Sequence, residues 1–169
     1  MNPERHEHYM RIALREAERA GDAGEVPAGC VIVRCDPTAP DRAPTLIGKA
    51  HNQTETLKDP TAHAEILAIT QAAAAIGGWR LTDTVLYVTK EPCAMCAGAI
   101  VLARIPVVVY GAPDPRRGGA VSVFNILNHP AMNHRCEIVG GVLAGDCAAI
   151  LQDFFRTRRA ENASETPIL

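Results

Sequence analysis

Thr89-Lys90-Glu91-Pro92-Cys93-Ala94-Met95-Cys96, read together with Thr61-Ala62-His63-Ala64-Glu65 upstream, sets the architecture of this chain. Two cysteines three apart, just after a proline, suit the first turn of a helix, where both thiols share one face. His63 supplies a third ligand of borderline softness. Three protein ligands leave the fourth tetrahedral position open, the layout of a catalytic zinc centre and not of a closed structural one. Glu65 lies two residues past the histidine, within reach to move protons there. Residues two apart on a regular helix point about 200 degrees apart. His63 and Glu65 can therefore share a site only if His63 sits at the helix entrance, and Pro60 keeps the preceding segment out of regular helix.

Working outward, both motifs are expected to open helices. Residues 62–76 are apolar nearly all round, the mark of a buried helix, and Gly77-Gly78 ends it. Val85 to Thr89 reads as a short strand leading into a helix from Pro92 to Ala103, and Ile105 to Gly111 as the next strand. Upstream, Met10, Ala13, Leu14, Ala17 and Ala20 mark a helix over about 6–23. Residues 28–34 and 45–52 resemble two strands of a long hairpin around the proline-rich loop 35–44. Downstream, residues 112–120 form a loop rich in proline, glycine and arginine, and a short helix is expected over 121–127. Glu137 to Gly140 forms a late edge strand. Leu143, Cys147, Ile150, Leu151 and Phe154 form the inner stripe of a C-terminal helix over 143–159. The chain thus divides into one domain, 1–159, and a flexible polar tail, 160–169. Alternating helices and strands predict an α/β layered domain whose crossover-linked strands run parallel and central. The metal motifs then meet at helix N-termini, whose partial positive charge and unpaired N–H groups favour thiolates.

A chain of 169 residues, 47% hydrophobic and 21% charged, fits a single globular domain. No apolar run reaches membrane-span length, and the N-terminal residues lack an apolar signal core, so the expected compartment is the cytoplasm. Cys30, Cys35, Cys136 and Cys147 lack metal-like spacing, and reduced thiols are expected for them there. A net charge of -2 does not advertise nucleic-acid binding globally. Fourteen arginines against three lysines, clustered at Arg116-Arg117 and at Arg156, Arg158 and Arg159, leave a local role with phosphates open.

H-x-E followed by P-C-x-x-C is an established signature of zinc nucleobase deaminases, and His63-Ala64-Glu65 with Pro92-Cys93-Ala94-Met95-Cys96 matches it at every position. The likeness extends beyond the signature. Residues 59–65 and 86–99, and the stretch from His129-Pro130-Ala131-Met132-Asn133-His134-Arg135 to Asp153-Phe154-Phe155-Arg156, are similar to the bacterial tRNA-specific adenosine deaminases of the cytidine deaminase superfamily. The resemblance covers roughly residues 8–159. It implies a three-layer cytidine-deaminase-like domain: a central mixed sheet with helices on both faces. It implies hydrolytic conversion of adenosine to inosine at the wobble position of tRNA, with arginine tRNA the expected substrate. One Zn2+ per chain would sit on His63, Cys93 and Cys96, with Glu65 as the proton shuttle.

The same resemblance places Asn52, Ala64, Asp114, His129, Phe155 and Arg158 against the substrate: Asn52 on the purine, Asp114 beside the flipped nucleotide, and the C-terminal pair on the anticodon stem-loop. An amide offers donor and acceptor together, which suits an adenine edge. An aromatic and an arginine suit stacking and phosphate contact. It also implies a homodimer. Two departures from the family pattern stand out: the loop between Arg34 and Leu46 is several residues longer, and Pro113 and Pro115 flank Asp114. Two alternatives stay open, a free nucleobase or nucleoside deaminase and a non-catalytic, zinc-stabilised RNA-binding module.

Overall fold

The computed structural model describes residues 3–39 and 41–164. A five-stranded sheet, ordered β2-β1-β3-β4-β5, forms the middle layer. Its strands are β1 (Gly29–Arg34), β2 (Thr45–His51), β3 (Thr84–Lys90), β4 (Val107–Ala112) and β5 (Glu137–Gly140). β1 runs antiparallel to both β2 and β3, whereas β3, β4 and β5 are parallel. The crossover from β3 to β4 is α4 (Ala94–Leu102). The expected parallel pair is therefore β3–β4, and Glu137–Gly140 is the edge strand that its position suggested.

Two-residue alternation explains the layers. Cys30, Ile32, Leu86, Val88 and Val108 face α3 (Ala64–Ile76) and α4. Val31, Val33, Val85, Tyr87 and Val109 face the opposite way, onto α1 (Pro3–Asp22) and α5 (Ala144–Ser164). Both faces are buried, so the middle of each strand, residues 30–33 in β1 and 85–88 in β3, is apolar without interruption. α1 seats Met10, Ala13 and Ala17 in the core, and α5 seats Cys147.

Three expectations need correction. α3 is not buried all round. A stripe of small residues, Ala64, Ala68 and Ala72, lies against the sheet, while Leu67, Ile69 and Ile76 are only partly covered. A helix laid on one face of a sheet can hide only one side. The approach is close: a Cβ on Gly48 would lie 2.6 Å from the Ala68 carbonyl oxygen. Residues 121–127 form turns, not a helix. The N–H groups of Val121 and Ser122 donate to the Glu91 side chain, and those of Val123 and Phe124 to the Gly118 carbonyl, so no i to i−4 ladder starts. α5 runs five residues past the expected end, through Ser164. The rest of the expected tail, 165–169, lies outside the described residues.

A four-residue helix not foreseen, α2 (Thr54–Leu57), separates β2 from α3. Loop 35–44 closes the β1–β2 hairpin at the end of the sheet where Arg34 pairs with Thr45 and Thr84. The metal motifs stand at the other end, beyond Lys90. No described helix is long and apolar enough to cross a membrane.

Candidate active site

His63 is the N-cap of α3, with extended backbone (φ −73, ψ 152), and Cys93 is the N-cap of α4 (φ −70, ψ 173). The sequence argument that His63 must stand at the helix entrance is thus met. Cys96 follows three residues on, in the first turn of α4, and is buried. The His63 Nδ1 atom lies 3.7 Å from Cys93 Sγ and 3.5 Å from Cys96 Sγ. All three donor atoms fall within 4.8 Å of one another. Tetrahedral zinc with bonds of roughly 2.3 Å to sulfur and 2.0–2.1 Å to nitrogen has S···N edges of about 3.5 Å. The donor triangle therefore has the dimensions and the chemistry that such an ion requires. The charges agree: Cys96, donating to Cys93, and then His63 hold the Cys93 thiol down to about 3, while its bond to Cys93 and burial push Cys96 up. A divalent cation amid the three would let both sulfurs ionise.

Glu65, in the first turn of α3, is buried, and burial above all raises its carboxyl above the ordinary value. It lines a cavity of 190 Å³ with His63, Cys93, Asn52, Lys90 and Asp114, among others. The carboxyl thus borders a small space beside the donor triangle. Such a group can both accept and return a proton.

Two further carboxylates, unremarked in the sequence, support this cavity: Glu91 lines it, and Glu25 is bonded to Asn52 and Thr54, which line it. Glu25 is 1% exposed. It accepts hydrogen bonds from Asn52 Nδ2 (3.2 Å), Thr54 Oγ1 (3.3 Å) and the backbone N–H groups of Glu55 (3.2 Å) and Thr56 (2.7 Å). Asn52 Nδ2 also donates to Thr54 Oγ1 at 3.2 Å. With its nitrogen committed twice, the Asn52 amide is oriented, and its oxygen is the atom left to receive a donor. Glu91 is 2% exposed. It accepts from the N–H groups of Asp114 (2.9 Å), Val121 (2.8 Å) and Ser122 (2.9 Å), and from the Ser122 hydroxyl. Burial pushes each carboxyl up, but the donors outweigh it and both end below the ordinary glutamate value. Both act at a distance in sequence: Glu25 fixes Asn52 and α2, and Glu91 fixes loop 113–122. Only their place in otherwise apolar or motif-bearing stretches, Glu25-Val26-Pro27 and Glu91-Pro92-Cys93, sets them apart from solvent-facing acids.

The remaining expected residues divide. Asp114 lines the cavity. It pairs with Lys90 at 2.7 Å and accepts from the N–H groups of Arg116 and Arg117. Ala64 is buried at the start of α3 but is not among the cavity-lining residues. Phe155, 43% exposed, lines a wider groove of 630 Å³ that shares Lys90, Asp114 and Arg117 with the cavity. Arg158 donates to the Gly24 carbonyl at 2.8 Å, sits over the Phe154 ring, and belongs to a neighbouring hollow that also takes in Phe155. His129 is exposed, accepts from the Ala131 N–H at 3.2 Å, and lines neither the cavity nor the groove. His51 and His134 are engaged elsewhere, with Glu16 and with the Ile105 carbonyl.

Comparison with known proteins agrees with this geometry. The sequence profile of the MafB19-like deaminases matches residues 4–159. The chain is 47% identical over 152 residues to a tRNA-specific adenosine deaminase of Streptococcus pyogenes serotype M18 (strain MGAS8232), covering 90% of this chain and 91% of that one. It is 46% identical to a tRNA-specific adenosine deaminase of Aquifex aeolicus (strain VF5), covering 90% and 95%. A solved structure from a study of A-to-I editing by tRNA:A34 deaminases at the wobble position superposes with a TM-score of 0.77 at 42% identity, over 85% of this chain and 99% of that one. Guanine deaminase from Bacillus subtilis superposes with a TM-score of 0.57 at 32% identity, over 95% of each chain. The chain belongs to the MafB19-like deaminase family, among the tRNA-specific adenosine deaminases.

Proposed function

We propose that this protein hydrolyses adenosine to inosine at the wobble position of tRNA, arginine tRNA being the expected carrier. The observation that carries the reading is the His63, Cys93 and Cys96 donor triangle standing beside Glu65 at one small cavity that shares Lys90, Asp114 and Arg117 with an arginine-lined groove. The higher identity and closer superposition with tRNA-acting relatives than with the guanine deaminase support the substrate. His63, Cys93 and Cys96 would hold one Zn2+, which when bound would supply the Lewis acidity that makes a water nucleophilic near neutral pH. Glu65 accepts a proton from the attacking water as the water oxygen bonds to C6 of the base. Glu65 then protonates N1. As the C6–N6 bond breaks, Glu65 takes the remaining proton from the C6 hydroxyl and hands it to the amine, so the carbonyl forms and the amine leaves as ammonia. Water is consumed and no electrons are exchanged with a second reagent. Asn52, held by Glu25, presents its oxygen to the purine. Asp114, Phe155, Arg158 and His129 are assigned to the anticodon stem-loop, and Ala64 to the floor of the substrate site. Residues 1–159 act as one deaminase domain, the working form is a homodimer, and the compartment is the cytoplasm.

The test is inosine formation in an arginine-tRNA anticodon stem-loop carrying wobble adenosine, beside free adenosine, guanine and cytidine. Conversion confined to the stem-loop is expected. Conversion of a free base, with the stem-loop untouched, would overturn the substrate while keeping the chemistry. Silence on all four by zinc-loaded protein would favour a non-catalytic RNA-binding module.

A further inference from the structure

Arg117 stands where two spaces meet. It lines the 190 Å³ cavity and also the 630 Å³ groove, in company with Lys90 and Asp114. Its backbone is fixed: its N–H donates to Asp114 Oδ1 at 3.2 Å, and the following residue, Gly118, is packed against the Glu91 carboxylate. Its side chain is exposed, and among the described residues the guanidinium takes part in no hydrogen bond or ion pair. The other charges of this neck are committed to one another. Lys90 is paired with Asp114, and Glu91 is saturated by loop N–H groups. Arg117 is thus the cation of the neck with no internal counter-charge.

The size of the cavity says what passes this neck. Sites for drug-sized ligands run to roughly 300–1,000 Å³, and 190 Å³ holds a base but not its phosphates. A base seated beside Glu65 has a path for its sugar and phosphates past Arg117 into the groove, whose lining shares Lys90, Asp114 and Arg117 with the cavity. A planar guanidinium with five donors matches phosphate oxygens. We propose that Arg117 grips a backbone phosphate of the nucleotide whose base occupies the cavity, and so sets the preference for a polynucleotide over a free nucleoside. The inference rests on the deaminase reading above.

The experiment measures kcat and KM for inosine formation in the wobble-adenosine stem-loop across a series of NaCl concentrations. It uses the native protein, Arg117→Ala, Arg117→Lys and Arg42→Ala, the last removing the same charge at the far end of the sheet. Arg117→Ala is expected to raise KM about five- to tenfold at moderate salt with little change in kcat. It should flatten the slope of log(kcat/KM) against log[NaCl] by about 0.7, the share of one phosphate on a single strand. Arg117→Lys should keep the slope, and Arg42→Ala should match native. Should Arg117→Ala not fold, neutral methylphosphonate linkages on either side of the target adenosine, given to native protein, must flatten the slope by the same amount. An unchanged slope in either arm, or equal flattening in Arg42→Ala, overturns the proposal while the deaminase reading stands. A native protein that leaves the stem-loop unconverted overturns that reading, and this inference with it.

Discussion

Replacing Glu91 by alanine tests how loop 113–122 is held. The carboxylate receives three backbone N–H groups and one hydroxyl. Each hydrogen bond to a charged group contributes about 1.5–3 kcal/mol, and a buried donor left unpaired costs about 1–3 kcal/mol. Asp114 is buried, so its N–H bears the full cost, whereas Val121 and Ser122 are exposed and water replaces part of theirs. The sum for Glu91→Ala is about 3–5 kcal/mol, a large share of the roughly 5–15 kcal/mol that stabilises a typical domain. Glu91→Gln keeps one acceptor oxygen and turns an N–H2 toward one of the donors, so a smaller loss of about 1–3 kcal/mol is expected. Urea unfolding followed by far-ultraviolet circular dichroism, at fixed protein concentration and metal content, gives both values. Activity should fall with stability, because the loop carries Asp114 and Arg117 and bridges to Cys93 through Gly118. A Glu91→Ala loss below about 1 kcal/mol, or a Gln variant worse than Ala, would refute the premise that this carboxylate organises the loop.

Four other outcomes are expected. Glu65→Gln should abolish inosine formation while zinc content, measured by mass spectrometry, stays at one per chain; a variant keeping a tenth of native kcat would remove Glu65 from proton transfer. Cys93→Ala should lose zinc and soluble yield together, and unchanged zinc content would contradict the ligand assignment. Gly48→Ala places a methyl group 2.6 Å from the Ala68 carbonyl oxygen and should cost about 1–3 kcal/mol in urea unfolding, as overpacking does. Acid should act through Glu25 and Glu91, whose folded values lie below the ordinary 4.5. Their stabilisation is fully present above pH 4.5 and is lost as pH falls through the lower folded values. The stability gap between native protein and Glu25→Gln should therefore narrow below pH 4.5, and a constant gap down to pH 3 would exclude the linkage.

Sequence reading and tertiary structure parted at identifiable places. Residues 121–127 read as a short helix, but the N–H groups of residues 121–124 are claimed by Glu91 and the Gly118 carbonyl, partners that no local pattern reveals. α3 read as wholly buried because periodicity reports how apolar a helix is, not how many neighbours it meets. The surroundings of Arg158, bonded to the Gly24 carbonyl, and of His129, outside both cavity and groove, were likewise not legible in any local pattern.

What the sequence by itself determined was the chemistry and the layer order. The C-x-x-C spacing, the proline before it and the two-residue step from His63 to Glu65 are short-range geometry, settled by helix pitch and by where a helix can begin. Only the tertiary structure decided what surrounds that chemistry: Glu25 orienting Asn52, Glu91 pinning loop 113–122, Lys90 neutralising Asp114, and Arg117 left charged at the neck. Those residues come from a loop after α1, a strand end and the turn after β4. Their roles arise from donors and charges brought together across the fold, where burial makes each unmet partner costly.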